Sequence, residues 1–198
     1  MSRRGCPLGR ASRLGPTVVA FLLALAMATP SLAQSNLREL AAARIPLVRA
    51  ISGDPVVMAA LRAKNANGES FQDIRRKDAE WSQNPQAALR KELTTSTCAA
   101  RLRELTKNDP TVVEVILMDR NGANVCISRE TSDYWQGDEE KFQKPYQEGH
   151  DIFMGEAAFD QSSGVYALQL SALVWDGDAK AGALTLSLRV KRQELKGR

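Results

Sequence analysis

Apolar positions along this chain change period about halfway. Residues 36–51 repeat at helical spacing, with Leu37, Leu40, Ile45 and Val48 on one side and Pro46 placed to kink the helix. Asp54-Pro55 reads as an N-cap and first helical residue for a second helix, which runs through Val56, Val57, Ala60 and Leu61 and stops near residues 65–68. Ser70-Phe71-Gln72-Asp73 resembles a capping box for a helix ending near Trp81. Asn84-Pro85 repeats the cap-plus-proline signal, residues 94–97 break that helix, and residues 99–107 complete the helical half.

From residue 112 the pattern belongs to strands. Residues 112–118 form an apolar run rich in β-branched side chains, and Asp119-Arg120-Asn121-Gly122 supplies a turn. Residues 123–129 return as a second strand. Three more follow: a short one at 156–160, a long one at 165–175, and, after the hairpin signal Asp176-Gly177-Asp178, one at 181–190. In the long strand Tyr166, Leu168, Leu170, Ala172 and Val174 make an apolar face, while Gln169 and Ser171 stand on the opposite, mixed one. Helices then strands give an α+β domain over residues 34–190, with a polar tail at 191–198.

The N-terminus changes the charge picture. Arg3, Arg4, Arg10 and Arg13 precede an apolar stretch at 18–28, and Ser31-Leu32-Ala33 has the form of a signal-peptidase site. Residues 1–33 are therefore expected to be a leader, cleaved before Gln34 into a periplasmic protein with no further membrane span. The chain holds 27 Lys+Arg against 23 Asp+Glu, and those four arginines are the whole excess. A neutral mature chain gives no footprint for nucleic acid. Cys6 leaves with the leader, and Cys98 and Cys126 remain as a disulfide pair in an oxidising compartment or as two buried thiols.

Parts for catalysis are missing. His150 is the only histidine, and no nucleophile elbow, P-loop, dinucleotide fingerprint, H-E-x-x-H or haem-attachment motif occurs. Asp176-Gly177-Asp178 and Asp138-Glu139-Glu140 read as solvated turns, since calcium needs more oxygen ligands at fixed spacing. The expectation is no enzyme and no cofactor. What remains is the loop after the second strand, where Asp133, Tyr134, Trp135 and Gln136 put two aromatics among polar groups. Two readings stay open: Trp135 plugs a gap between loop and sheet, or the loop walls a ligand pocket.

Several segments are similar to a known family. These are Gly53-Asp54-Pro55-Val56-Val57 with Asn65, residues 74–81, and Met118-Asp119-x-x-Gly122-x-Asn124-Val125. They continue in Ser128-x-x-Thr131-Ser132-Asp133-Tyr134-Trp135-Gln136-Gly137-Asp138-Glu139 and Lys141. The chain resembles the single Cache (PDC, PAS-like) extracytoplasmic sensor domain in a stand-alone periplasmic form. The resemblance implies a mostly antiparallel sheet of about five strands, a long N-terminal helix on one face, and a small-molecule pocket on the other. It implies a sensor without its own output module, which binds a small polar or charged metabolite and relays that state to a membrane sensor kinase or chemoreceptor. The alternative is a ligand-free interaction module in an envelope signalling complex. No arginine precedes Tyr134-Trp135 as in the amino-acid-binding double-Cache receptors, so no amino acid ligand is implied. The expected ligand set is Asp133, Tyr134, Trp135 and Gln136 from the loop, with Ser128, Tyr166, Gln169 and Ser171 from the sheet. Strand parity already divides it: Tyr166 lies opposite Gln169 and Ser171, and a Cys126 bridge to the helices would turn Ser128 away.

Overall fold

The computed structural model describes residues 32–84, 88–160, 163–192 and 195. The expected leader lies outside these apart from Leu32 and Ala33, as do Pro85 and most of the tail. Six helices come first: α1 (Leu32–Ala42), α2 (Ile45–Ser52), α3 (Pro55–Ala66), α4 (Phe71–Gln83), α5 (Ala88–Thr95) and α6 (Thr97–Thr106). The N-terminal helix expected over 36–51 is thus interrupted by a turn at 43–44, and Pro46 sits at the start of α2, where its missing N–H costs nothing. Local chemistry sets the other starts. The Asp54 carboxylate accepts from the amides of Val56 and Val57 and pairs with Arg101 of α6 at 2.8 Å. Ser70 Oγ accepts from the Asp73 amide at 3.1 Å. Ser96, in the segment expected to break the helix, caps α6.

The second half supplies β1 (Val112–Asp119), β2 (Asn124–Ile127), a short helix α7 (Glu140–Phe142) that runs into a π-helical turn at Gln143–Gln147, then β3 (Ile152–Met154), β4 (Ala158–Asp160), β5 (Val165–Asp176) and β6 (Ala179–Arg189). All pairings are antiparallel, in the order β2-β1-β6-β5-β3, with β4 also on β5. The sheet therefore has six strands among the described residues. β3 is the one that periodicity did not show, since three residues are too few to alternate.

The two sheet faces bury different cores. Val48 and Ile51 of α2, Val57 and Leu61 of α3, and Leu102 of α6 pack with Val115, Leu117, Leu168, Leu170, Leu184, Leu186 and Leu188. Each such side chain contributes roughly 1.5–3 kcal/mol on burial. Helix α3 comes close enough that Leu61 nears Gly182, where a Cβ would also lie 2.1 Å from the Met118 carbonyl oxygen. Cys98 and Cys126 are bonded, with their Cα atoms 5.9 Å apart, which pins α6 to β2. On the other face Ile74 and Trp81 of α4, Leu93 of α5, Tyr134 and Phe142 pack with Ile116, Met118, Ile127 and Ala183. The layers agree with the PAS-like Cache architecture that the sequence resembles. No helix among the described residues is long and apolar enough to cross a membrane.

Candidate ligand-binding site

Cross-strand register builds a polar floor on the second face. Glu114, Ser187 and Gln169 stand opposite one another on β1, β6 and β5, and the next row holds Ile116, Thr185, Ser171 and Phe153. Partners in an antiparallel ladder share a face, so both rows point away from α1–α3. Ser171 and Thr185 hydrogen-bond to each other at 2.8 Å and are fully buried. Glu114 is only 4% exposed. Its Oε2 accepts from Ser187 Oγ at a long 3.5 Å, and its Oε1 has no hydrogen-bond partner.

The chain between β2 and β3 crosses this face as a lid. Phe142 is buried and stacks on Tyr146 at 5.0 Å, which seats α7 and the π-turn. Lys141 is buried too, with Nζ 3.1 Å from Glu139 Oε2. Toward the β3 edge the lid leaves an open cleft of about 570 Å³ lined by Glu140, Phe153, Met154, Gly155, Glu156 and Gln169. A neighbouring cleft of about 280 Å³ shares Glu156 and Gln169 and adds Ser132, Ala158, Phe159, Asp160 and Ala167. Together they have the size of a small-metabolite site, with Glu156 and Gln169 as the shared polar groups.

Burial pushes the Glu114 carboxyl up to about 7, against the pull of Lys141 and Arg129 and with a push from Asp160. Glu69 goes the other way. Burial raises it, but hydrogen bonds from Lys64, Lys77 and Tyr134 outweigh that and hold it at about 2. No group of three or more metal-ligating side chains occurs among the described residues. His150 is exposed, beside Glu148 at 3.3 Å.

The expected ligand residues divide. Gln169 lines both clefts and Ser171 belongs to the floor beside them. The other six lie elsewhere or face other groups. Tyr134 is wholly buried; Lys64 Nζ donates to its hydroxyl at 2.7 Å, and the hydroxyl donates to Glu69 at 2.8 Å. Burial and Glu69 both raise its pKa, so it stays a donor. Trp135 bridges to Ala123 at the β2 edge, donates from Nε1 to the Asn121 carbonyl at 2.8 Å, and meets Phe71 and Arg75 of α4. Its position fits the plug reading. Gly122, with φ +80°, lets the turn approach Gly137 where any Cβ would clash. Asp133 accepts through its carbonyl from Asn124 and Gln136 side chains and through its carboxylate from Ser132. Gln136 is buried at that corner, with Oε1 unpartnered. Ser128 Oγ accepts from the Val115 amide at 2.8 Å, and Tyr166 packs on the helix face beside Phe159. The loop thus edges the sheet, and α7 with the π-turn is the lid.

The sequence assigns no site role to Glu114, Phe153 and Glu156 and reads Glu140 as part of a solvated acidic turn, whereas Glu140, Phe153 and Glu156 line the cleft. Glu114 had a legible signal, a lone carboxylate inside a β-branched run. Replacing Tyr134 with phenylalanine should cost about 2 kcal/mol in urea unfolding, because its hydroxyl is shared by two charged groups. An unchanged midpoint would mean that Lys64 and Glu69 close up without it.

No family model matches the chain, and no curated protein sequence does. Among solved structures, the sensor domain of Escherichia coli DcuS aligns at TM-score 0.48 and 12% identity, over 81% of this chain and 98% of that one. The Vibrio cholerae histidine kinase DctB sensor domain aligns at 0.43 and 13%, over 84% and 57%. The Campylobacter jejuni chemoreceptor Tlp3 sensory domain, with isoleucine bound, aligns at 0.38 and 17%, over 80% and 61%. The chain spans less than two thirds of the last two. At these identities and TM-scores the likeness lends no residue, ligand or partner to this chain.

Proposed function

We propose that this chain is an exported sensor domain of Cache type, a binding rather than a catalytic module, which holds a small polar or charged metabolite in the cleft between β3, β5 and the α7 lid. One observation carries the reading. On the sheet face away from α1–α3, a polar strip beside the second apolar core ends in open clefts at Gln169 and lies under the short helical segment α7. The bonded Cys98–Cys126 pair supports an oxidising compartment. A membrane kinase or chemoreceptor would read the lid.

A thermal-shift screen of organic acids, amines and amino acids on the purified protein tests this. A true ligand at 100 times its Kd should add about 2.7 kcal/mol of stability. Gln169→Ala should remove the shift and Trp135→Ala should keep it. A hit lost with Trp135→Ala but indifferent to Gln169→Ala would move the site to the loop, and a screen without hits would favour the ligand-free interaction module.

A further inference from the structure

The clefts meet at one irregularity in the sheet. Met154 of β3 pairs with Leu170 and Ala158 of β4 with Ala167, so three residues, 155–157, stand against two on β5. The Gly155 amide donates to the Gln169 carbonyl at 2.9 Å, which carries the β3 register one residue further. The extra residue therefore falls at Glu156 or Ala157, as an edge bulge beside the site. Glu156 lines both clefts at Gln169. With Ala157 it also lines a third groove, of about 460 Å³, on the helix face. That groove lies between Leu37 of α1 and Leu168 of β5, and it takes Leu195, the one large apolar side chain in residues 191–198.

Resting on the reading of the clefts as a ligand site, we propose that β4 has two registers and that this bulge, held by Leu195, selects between them. In the register observed, Ala158 and Asp160 face the smaller cleft, while Phe159 stacks edge-on against Tyr166 at 5.5 Å on the helix face. When the bulge moves past β4, Ala157 stands opposite Ala167 and Phe159 opposite Val165, so every β4 side chain changes face. Phe159 then turns into the smaller cleft, and Glu156 leaves both clefts for the helix face. The site is open in one register and filled by the chain's own phenylalanine in the other.

Little pins β4 where it is. Ala158 and Phe159 are exposed, Phe159 to 55%, and a strand is fixed in register chiefly by a buried face. Filling the cleft takes the ring out of water, which favours the second register. Ala157 opposes it, because it packs on the helix-face core in the groove that Leu195 also fills. Turning Ala157 over removes that contact, so a seated Leu195 favours the open cleft. A cleft ligand favours the same register, and the two therefore reinforce each other.

NMR of protein labelled at its alanine methyls reads the register without any ligand. Wild type should give a strong Ala158–Ala167 contact, with the Ala157 and Ala158 methyls broadened by exchange with a minor register. Leu195→Ala should raise the minor register about fivefold and bring in an Ala157–Ala167 contact. Phe159→Asp, whose carboxylate gains nothing in the cleft, should remove the broadening and, combined with Leu195→Ala, restore the single register. Sharp Ala157 and Ala158 signals in both wild type and Leu195→Ala overturn the proposal, as does broadening in Leu195→Ala that survives Phe159→Asp. The sensor reading is judged separately: a thermal-shift hit lost in Gln169→Ala upholds it even with a single register, and a screen without hits removes it even with two.

Discussion

Glu114→Gln should raise the unfolding free energy by about 3 kcal/mol at pH 8 and leave it nearly unchanged at pH 4, without ligand. The carboxyl is held at about 7 in the fold against an ordinary value of 4.5. Below 4.5 both folded and unfolded chains carry the proton, and the group is neutral to stability. Between 4.5 and 7 the unfolded chain has lost the proton while the folded chain keeps it, so stability falls as pH rises. Above 7 both are ionised and the full burial cost stands. Glutamine has nearly the same shape and never ionises, so it should erase this slope. Urea unfolding at pH 4, 6 and 8 measures it. A Glu114→Gln protein no more stable than wild type at pH 8 would mean that the ionised carboxylate is already compensated, by water or by Lys141.

What the sequence made legible follows from how local each signal is. Asp54-Pro55 and Ser70 mark helix starts because the capping bonds they make lie within three residues. The β5–β6 hairpin was equally legible, since its turn residues and two alternating strands are contiguous. β3 was not, because Ile152, Phe153 and Met154 become a strand only by pairing with β5, about twenty residues on. The lid failed for a related reason. Residues 140–147 show neither helical length nor alternation, and they hold their shape by placing Phe142 in the second core. Tyr134 and Trp135 stand out in the sequence as aromatics, but which edge of the sheet their loop joins is decided by the bridge from Trp135 back to Ala123. Parity in β5 did separate Gln169 and Ser171 from Tyr166, since alternation within one strand survives any arrangement of its neighbours. Glu114 shows the opposite limit: its charge is visible in the sequence, while the burial that leaves its Oε1 without a partner is a property of several strands together.

Replacing both Cys98 and Cys126 with alanine should cost about 3–4 kcal/mol, the largest loss expected from removing any one covalent or polar link in this protein. The bond closes a loop of 28 residues, and that loop restricts the unfolded chain chiefly by removing its end-to-end freedom. Both residues are buried in the helix-face core, so alanine also leaves a small void there. The two contributions separate in urea unfolding: loss of the loop raises the dependence on denaturant by expanding the unfolded state, whereas a void lowers the midpoint alone. A loss below about 1 kcal/mol with an unchanged slope would show that the segment is already restricted when unfolded. The closed loop contains all of α6 past Cys98, all of β1 and the turn into β2, and therefore Glu114 itself. β1 lies within that closed loop and pairs with β2, so the strand that carries the buried Glu114 carboxylate is joined to the one the disulfide anchors. A reducing environment should on this account weaken the floor of the cleft first, which native-state hydrogen exchange of the β1 amides would register before global unfolding.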